Sequence, residues 1–288
     1  MRSLASCGLT AMMGAITGKG RAVRRAHVQK RTLTPRDTRN AVENVINRIR
    51  SWRPCFMECN ICGNDKFLDM NGRLAIRCSQ CGSLERARVL KLVIDNLNIL
   101  KPGVRVLHLA PEGGLATYIK ERIGEEFYDA RDIDIDRYQH VKVSHFDLVE
   151  ECHNLPSDTF DVIIHNHVME HLPCNVWAVL YHLHRSLTPT GRHIFSIPIL
   201  RGYYEESLFP IGEEERQRRF AQFDHVRRFG MEDLQRSVGM VFKIPDTYDI
   251  TSTFPKEMLD RYNVPEVARS GWSGHSIFAL KKEDLLLR

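Results

Sequence analysis

No stretch of the 288 residues approaches 18 consecutive apolar side chains, so no transmembrane helix is expected. Repeats and long low-complexity tracts are also missing. With 43% hydrophobic and 27% charged residues, a wholly disordered or collagen-like chain is excluded. Disulfide-style cysteine spacing is missing too. Of eight cysteines, Cys7, Cys55, Cys152 and Cys174 are scattered, and the rest form two tight pairs, Cys59/Cys62 and Cys78/Cys81. That pattern argues against a secreted disulfide scaffold and for one metal site in a reducing compartment. The length suits about two domains.

Acidic residues are absent from residues 1–36, which hold eight basic ones. The remaining 252 residues carry 33 basic and 36 acidic side chains, a net of −3, although the whole chain is +5. The basic character therefore belongs to the arm and says little about what the folded body binds. Three readings of residues 1–36 stand: a disordered tail, a cleaved organellar presequence, or a basic arm that touches nucleic acid or anionic lipid. The expected compartment is the cytoplasm, with a mitochondrion or plastid as the alternative.

Residues 37–99 read as a helix-flanked cysteine module. Val42, Val45, Ile46 and Ile49 recur at helical spacing before Trp52 and Pro54, and Ala87, Leu90 and Leu97 do so after the module. Between them lie Cys59-Asn60-Ile61-Cys62-Gly63 and Cys78-Ser79-Gln80-Cys81-Gly82, with fifteen residues from Gly63 to Arg77 between the cysteine pairs, a stretch that reads as a hairpin. Two such pairs fill a tetrahedral thiolate shell, the pattern of a zinc ribbon. A four-thiolate shell leaves no open position, so a structural Zn2+ on Cys59, Cys62, Cys78 and Cys81 is expected. Iron is a chemical alternative. Arg73, Arg77, Arg86, Arg88 and Lys91 read as a solvated face, with an RNA platform as the rival.

Residues 100–288 alternate strands and helices. Strands are expected at Val104–Ala110, Phe127–Ile133, His140–Phe146, Phe160–His165 and Arg192–Ile197, the last entered by a turn at Thr188–Gly191. Helices are expected at Leu115–Ile123 and Asn175–Ser186. This order implies a mostly parallel α/β sheet covered on both faces. An excursion over 199–229 holds the charged run Glu213–Arg219, which reads as a solvated lid helix. After it come a helix at Met231–Val238 and strands at Val241–Ile244 and Ser276–Leu280.

Five features cluster at strand ends. They are Ala110–Gly114, Asp132, Asp147, Leu155-Pro156 with Phe160-Asp161, and His167-Val168-Met169-Glu170-His171. Together they resemble the class I S-adenosylmethionine-dependent methyltransferases of the type 11 group over roughly residues 100–245. Leu107–Glu112, the four cysteines and Asp224–Arg228 resemble a subgroup with an N-terminal zinc ribbon. The resemblance implies a Rossmann-like sheet of seven strands, the last antiparallel. It also implies S-adenosyl-L-methionine as cofactor, met by Ala110, Glu112, Gly113, Gly114, Asp132, Asp147, Leu148 and His165. Ala110 and Glu112 stand where glycines are usual. The alanine is expected at negative φ, and Glu112 is expected to face the amino or sulfonium end of the cofactor.

Methyl transfer is an in-line displacement, and a base near neutral pKa suits an O or N acceptor. His225 is the first candidate, oriented by Asp224, with Arg227 or Arg228 meeting an anionic substrate group. His167 is the second, and His171 reads as a structural hydrogen-bonder. No Glu-x-x-His spacing with a third ligand marks a second metal, and adjacent Glu170 and His171 make no site by themselves. Tyr203, Tyr204, Phe209, Phe220 and Phe223 either line an acceptor pocket or pack the lid. The expected activity is methyl transfer to a small-molecule acceptor. An RNA or protein methyltransferase gripping through ribbon and arm is the first alternative, and a non-catalytic SAM-binding or interaction protein the second.

Overall fold

The computed structural model describes residues 57–139 and 141–287. The basic arm, the helix expected over 37–52 and His140 lie outside them. The described residues all fall in one compact unit, so the cysteine module is built into the same body as the sheet.

The module is a hairpin of β1 (Phe67–Met70) and β2 (Arg73–Cys78), paired antiparallel around Asn71 and Gly72. Helix α1 (Glu85–Leu97) follows and buries Ala87, Val89, Leu90, Leu92 and Ile94. Arg88, expected on a solvated face, is fully buried. Its guanidinium donates to the carbonyls of Ile76, Ser83, Tyr262 and Asn263. A buried charge with four carbonyl partners is a clasp, here between the module and the C-terminal segment.

The main sheet starts with β3 (Val106–Leu109), whose four residues are all buried. Helix α2 (Gly113–Ile123) leads to β4 (Tyr128–Asp132) and on to the short edge strand β5 (Ser144–His145). Helix α3 (Leu148–Glu151) precedes β6 (Phe160–Asn166), and α4 (Val176–Arg185), capped by Asn175, precedes β7 (Leu187–Ser196). The excursion then forms its own small sheet of β8 (Ile199–Leu200), β9 (Glu205–Glu206) and β10 (Arg227–Gly230), with β10 in the middle. Helix α5 (Glu213–Phe220) is the expected charged helix, laced by Arg218–Glu215 and Arg219–Glu205 ion pairs. Strand β11 (Phe278–Lys281) closes the main sheet in the order β11-β7-β6-β3-β4-β5. Only β11 runs antiparallel, and the Rossmann-like α/β expectation holds.

Four details differ from expectation. The strand expected at Val241–Ile244 is reduced to one bridge between Phe242 and Leu285, so the described sheet has six strands and not seven. Its neighbour is broken by the turn Lys282–Asp284, and Pro245 removes the next donor. The helix expected over Met231–Val238 splits into a tight turn at Leu234–Arg236 and a short helix at Val238–Val241. The strand expected over His140–Phe146 shrinks to β5, which pairs with β4 through only two residues. Thr188–Gly191 makes no separate turn; it bulges within β7, whose register jumps from Leu187 to Arg192 while β6 advances from Phe160 to Val162.

Candidate active site

The chain leaves β3 toward β4 and β5, then returns to the other side of β3 to form β6. Such a reversal opens a crevice outside the carboxyl ends of the strands. A cavity of about 380 Å³ lies there. Its walls are mostly apolar, including Leu109, Phe146, Leu148, Val168 and Leu172, and Asp132, Asp147 and His171 supply polar edges. A larger hollow of about 770 Å³ opens at the other end of the sheet, near Arg105 and Phe127, and shares none of these residues.

Both acids are fixed by local chain geometry. Asp132 ends β4 and is 9% exposed; it accepts hydrogen bonds from the Asp134 amide at 2.8 Å and the Tyr138 hydroxyl at 2.6 Å. Each oxygen keeps a further lone pair for a ligand hydroxyl. Asp147 caps α3 by accepting from the Val149 amide at 2.8 Å.

The loop after β3 departs from expectation. Ala110 lines the cavity but has φ of +48°, the left-handed region in which a Cβ is strained. Glu112 does not face the cavity. It accepts from Asn166 at 3.1 Å and lies 3.6 Å from His108 and 3.9 Å from Arg86. Burial works to raise its pKa, but His108, Arg86 and Asn166 outweigh it and hold the carboxyl below its ordinary range. Gly113 opens onto free space, whereas a Cβ on Gly114 would sit 2.8 Å from Cβ and 3.1 Å from Sγ of Cys81. Gly114 therefore makes room for the cysteine module and not for a cofactor.

His165 is also corrected. Its ring is fully buried, 3.0 Å from the His193 ring nitrogen and stacked on Phe195, inside the sheet's core. Burial lowers its pKa to about 3.

The four cysteine sulfurs form one cluster, with Sγ–Sγ separations of 3.6 Å for Cys59–Cys81 and 3.5 Å for Cys62–Cys78. Zn–S bonds of about 2.3 Å place tetrahedral sulfurs about 3.8 Å apart, so the set fits a structural Zn2+.

The expected catalytic residues fall into a second cluster behind the cavity. His225 is 3% exposed, and its Nδ1 donates to the Phe220 carbonyl at 3.2 Å. Asp224 does not orient it; Asp224 lies 3.4 Å from Nδ1 of His171 instead. His167 donates from Nε2 to the Gly274 carbonyl at 2.7 Å. Burial lowers His167 to about 3 and His225 to about 4, so neither imidazole stands poised near neutral pH as expected. Arg227 is fully buried on the Met169 and Cys174 carbonyls and Glu206, and Arg228 pairs with Glu205. Both arginines are thus structural ties. Arg227 and the Val226 amide on the Glu170 carbonyl dock the excursion onto residues 169–174, while Arg228 ties β10 to β9 within it.

At the centre sits Glu170, fully buried, with neither carboxylate oxygen hydrogen-bonded among the described residues. Desolvation pushes its pKa up to about 8. His171, not His225 or His167, is the histidine that lines the cavity. Of the excursion's aromatics, Phe220 is buried and Tyr204 packs on Trp177 and Phe229, while Tyr203, Phe209 and Phe223 are exposed. None lines the cavity. The sequence signal for Glu170 was an acid within a short apolar stretch after a buried strand.

The profile of a family described as "Methyltransferase domain" matches residues 84–237, more than half the chain. No curated protein matches. Similar solved structures include a putative sarcosine dimethylglycine methyltransferase from Galdieria sulphuraria, at 19% identity and TM-score 0.32, covering 41% of this chain and 47% of that one. A S-adenosylmethionine dependent methyltransferase from Mesorhizobium loti is 15% identical at TM-score 0.43, covering 68% and 96%. A SAM dependent methyltransferase from Archaeoglobus fulgidus is 17% identical at TM-score 0.40, covering 69% and 93%. The chain thus spans less than half the length of the Galdieria protein.

Proposed function

The chain belongs to the methyltransferase domain family, and from that premise we propose that it transfers a methyl group from S-adenosyl-L-methionine to a small-molecule acceptor. The observation that carries this reading is the 380 Å³ cavity at the switch point, with a buried acid at the end of β4 and apolar walls beside Asp147. When bound, S-adenosylmethionine supplies a sulfonium methyl open to in-line displacement by a nucleophile. Asp132 would accept the ribose hydroxyls, and Phe146, Leu148 and Asp147 would receive the adenine. The chain at Ala110 and Gly113 carries no bulky side chain against the ligand, and the first turn of α2 offers free amides.

The acceptor would lie against His171, a polar side chain of the same cavity wall. Asp224 lies 3.4 Å from His171 Nδ1, where a carboxylate favours a proton on that nitrogen. The body's net −3 charge favours a small acceptor over a polyanion.

Incubating the purified chain and a cell extract with methyl-labelled S-adenosylmethionine tests this reading. Label in the low-molecular-weight fraction is expected. Label confined to RNA or protein would move the substrate to a macromolecule, and no transfer across a broad extract panel would contradict the activity.

A further inference from the structure

Three histidines surround Glu170, and two of them have one ring nitrogen committed by a hydrogen bond. His167 faces the Gly274 carbonyl and His225 the Phe220 carbonyl, while His171 Nδ1 lies 3.4 Å from the Asp224 carboxylate. Carbonyls only accept, so His167 and His225 must donate there, and the other nitrogen of each is then a lone pair. His167 Nδ1, His171 Nε2 and His225 Nε2 lie 3.4, 3.9 and 4.0 Å from Oε1 of Glu170. Glu170 adds a carboxylate that is fully buried and without a hydrogen bond among the described residues.

Two fixed lone pairs, a third imidazole nitrogen and a carboxylate thus lie close together. A proton on Glu170 satisfies one of the two fixed lone pairs and leaves the other facing oxygen without a hydrogen. A cation serves nitrogen and carboxylate together. The pattern is also that of metal-binding histidines, whose second nitrogen donates to a carbonyl or carboxylate that fixes the tautomer. The ligand atoms of Glu170, His171 and His225 lie within 4.8 Å of one another. Metal bonds of about 2.1 Å place tetrahedral ligand atoms about 3.4 Å apart, so the shell closes by about half an ångström to a few times that.

We propose that Glu170, His171 and His225 form a second metal site, separate from the four cysteines, for a divalent transition ion of the Zn2+ type. His167 Nδ1 lies 3.4 Å from the Glu170 carboxylate but outside this group of three. Two imidazoles and one carboxylate leave coordination positions open, unlike the closed thiolate shell. His171 belongs both to this shell and to the cavity wall, which brings the site to the cavity. An acceptor hydroxyl or carboxylate bound there would be held beside the donor, and a hydroxyl would lose its proton more readily. The metal site stands on the geometry alone; its use on a methyl acceptor rests on the function proposed above.

The test is metal content of the full chain after equilibration with Zn2+ and removal of excess. The wild type is expected to retain two equivalents, and Glu170→Gln and His225→Ala one each. Cobalt substitution of the wild type supplies a reading that needs no variant. One equivalent should show intense thiolate charge-transfer absorption, and a second only the weak visible bands of nitrogen and oxygen ligands. A wild type that retains a single equivalent, with cobalt bound at the thiolates alone, would overturn the site and leave a water in its place. Retention of two equivalents by both variants would overturn it equally. Titration with S-adenosylhomocysteine in parallel separates the two claims: a missing second metal with intact binding sinks the site, and missing binding with two metals sinks the function.

Discussion

Two residues bear most on the proposed cofactor site. Asp132 is held by the Asp134 amide and the Tyr138 hydroxyl, so its orientation is set before a ligand arrives. Asp132→Asn keeps the shape and removes the charged acceptor. We expect S-adenosylhomocysteine to bind about 10–100-fold more weakly, roughly 1.4–2.7 kcal/mol, in a calorimetric comparison. Ala110 occupies a left-handed conformation at φ of +48°. Ala110→Gly relieves a strain of about 1–2 kcal/mol and adds about 0.4–1 kcal/mol of unfolded-state entropy. A net stabilisation of about 0.5–1 kcal/mol should appear in urea unfolding. The substitution was visible in the sequence as an alanine in a glycine position. Its φ was not, because the sign follows from the Ala110 amide reaching the Arg131 carbonyl on the neighbouring strand.

Elements were most legible where a single apolar rhythm decides. Strands β3, β4 and β6 and helices α1, α2 and α4 fall close to their expected places because buried parallel strands and amphipathic helices announce themselves. The sequence does not say which face of a doubly covered strand a residue takes. His165 was expected at the cofactor and lies in the core beside His193 for that reason. Gly114 was expected to meet a cofactor, but its requirement comes from Cys81, thirty-three positions earlier. The cysteine module and the cofactor loop are therefore in contact. Gly114→Ala should cost about 1–3 kcal/mol by forcing Cys81 or α2 to move, read as a lowered melting midpoint with weaker zinc retention. Cys62→Ser opens the thiolate shell, and loss of the ribbon's zinc with a fall of at least about 10 °C in Tm is expected. Full metal content and an unchanged melting curve would contradict a structural zinc.

At the scale of the molecule, the excursion and the core carry the rest. The meeting of Glu170 with His225, fifty-five residues apart, depends on β10 docking against residues 169–174, and no local spacing reports it. The core contains a buried histidine pair, His165 and His193, that burial keeps neutral. His165 is lowered to about 3, and His193 is held well below its ordinary value. In the unfolded chain both take protons near pH 6.5, while in the folded chain they do not until far lower. Their contribution is complete above about pH 6.5 and declines as the pH falls, by up to about 1.4 kcal/mol per pH unit for each histidine. The wild type should lose stability between pH 7 and pH 5, and a His165→Phe, His193→Phe double variant should lose less over the same interval. Equal slopes would remove the pair from the acid response.

The account stands on a donor pocket at the switch point of the sheet. Calorimetric titration of the zinc-replete chain with S-adenosylhomocysteine, with NADH as the control, tests that pocket most directly. Saturable binding at one site with a Kd in the micromolar range, and none for NADH, is the predicted result. A folded, zinc-containing protein that binds neither would contradict the cofactor assignment, and with it the proposed methyl transfer.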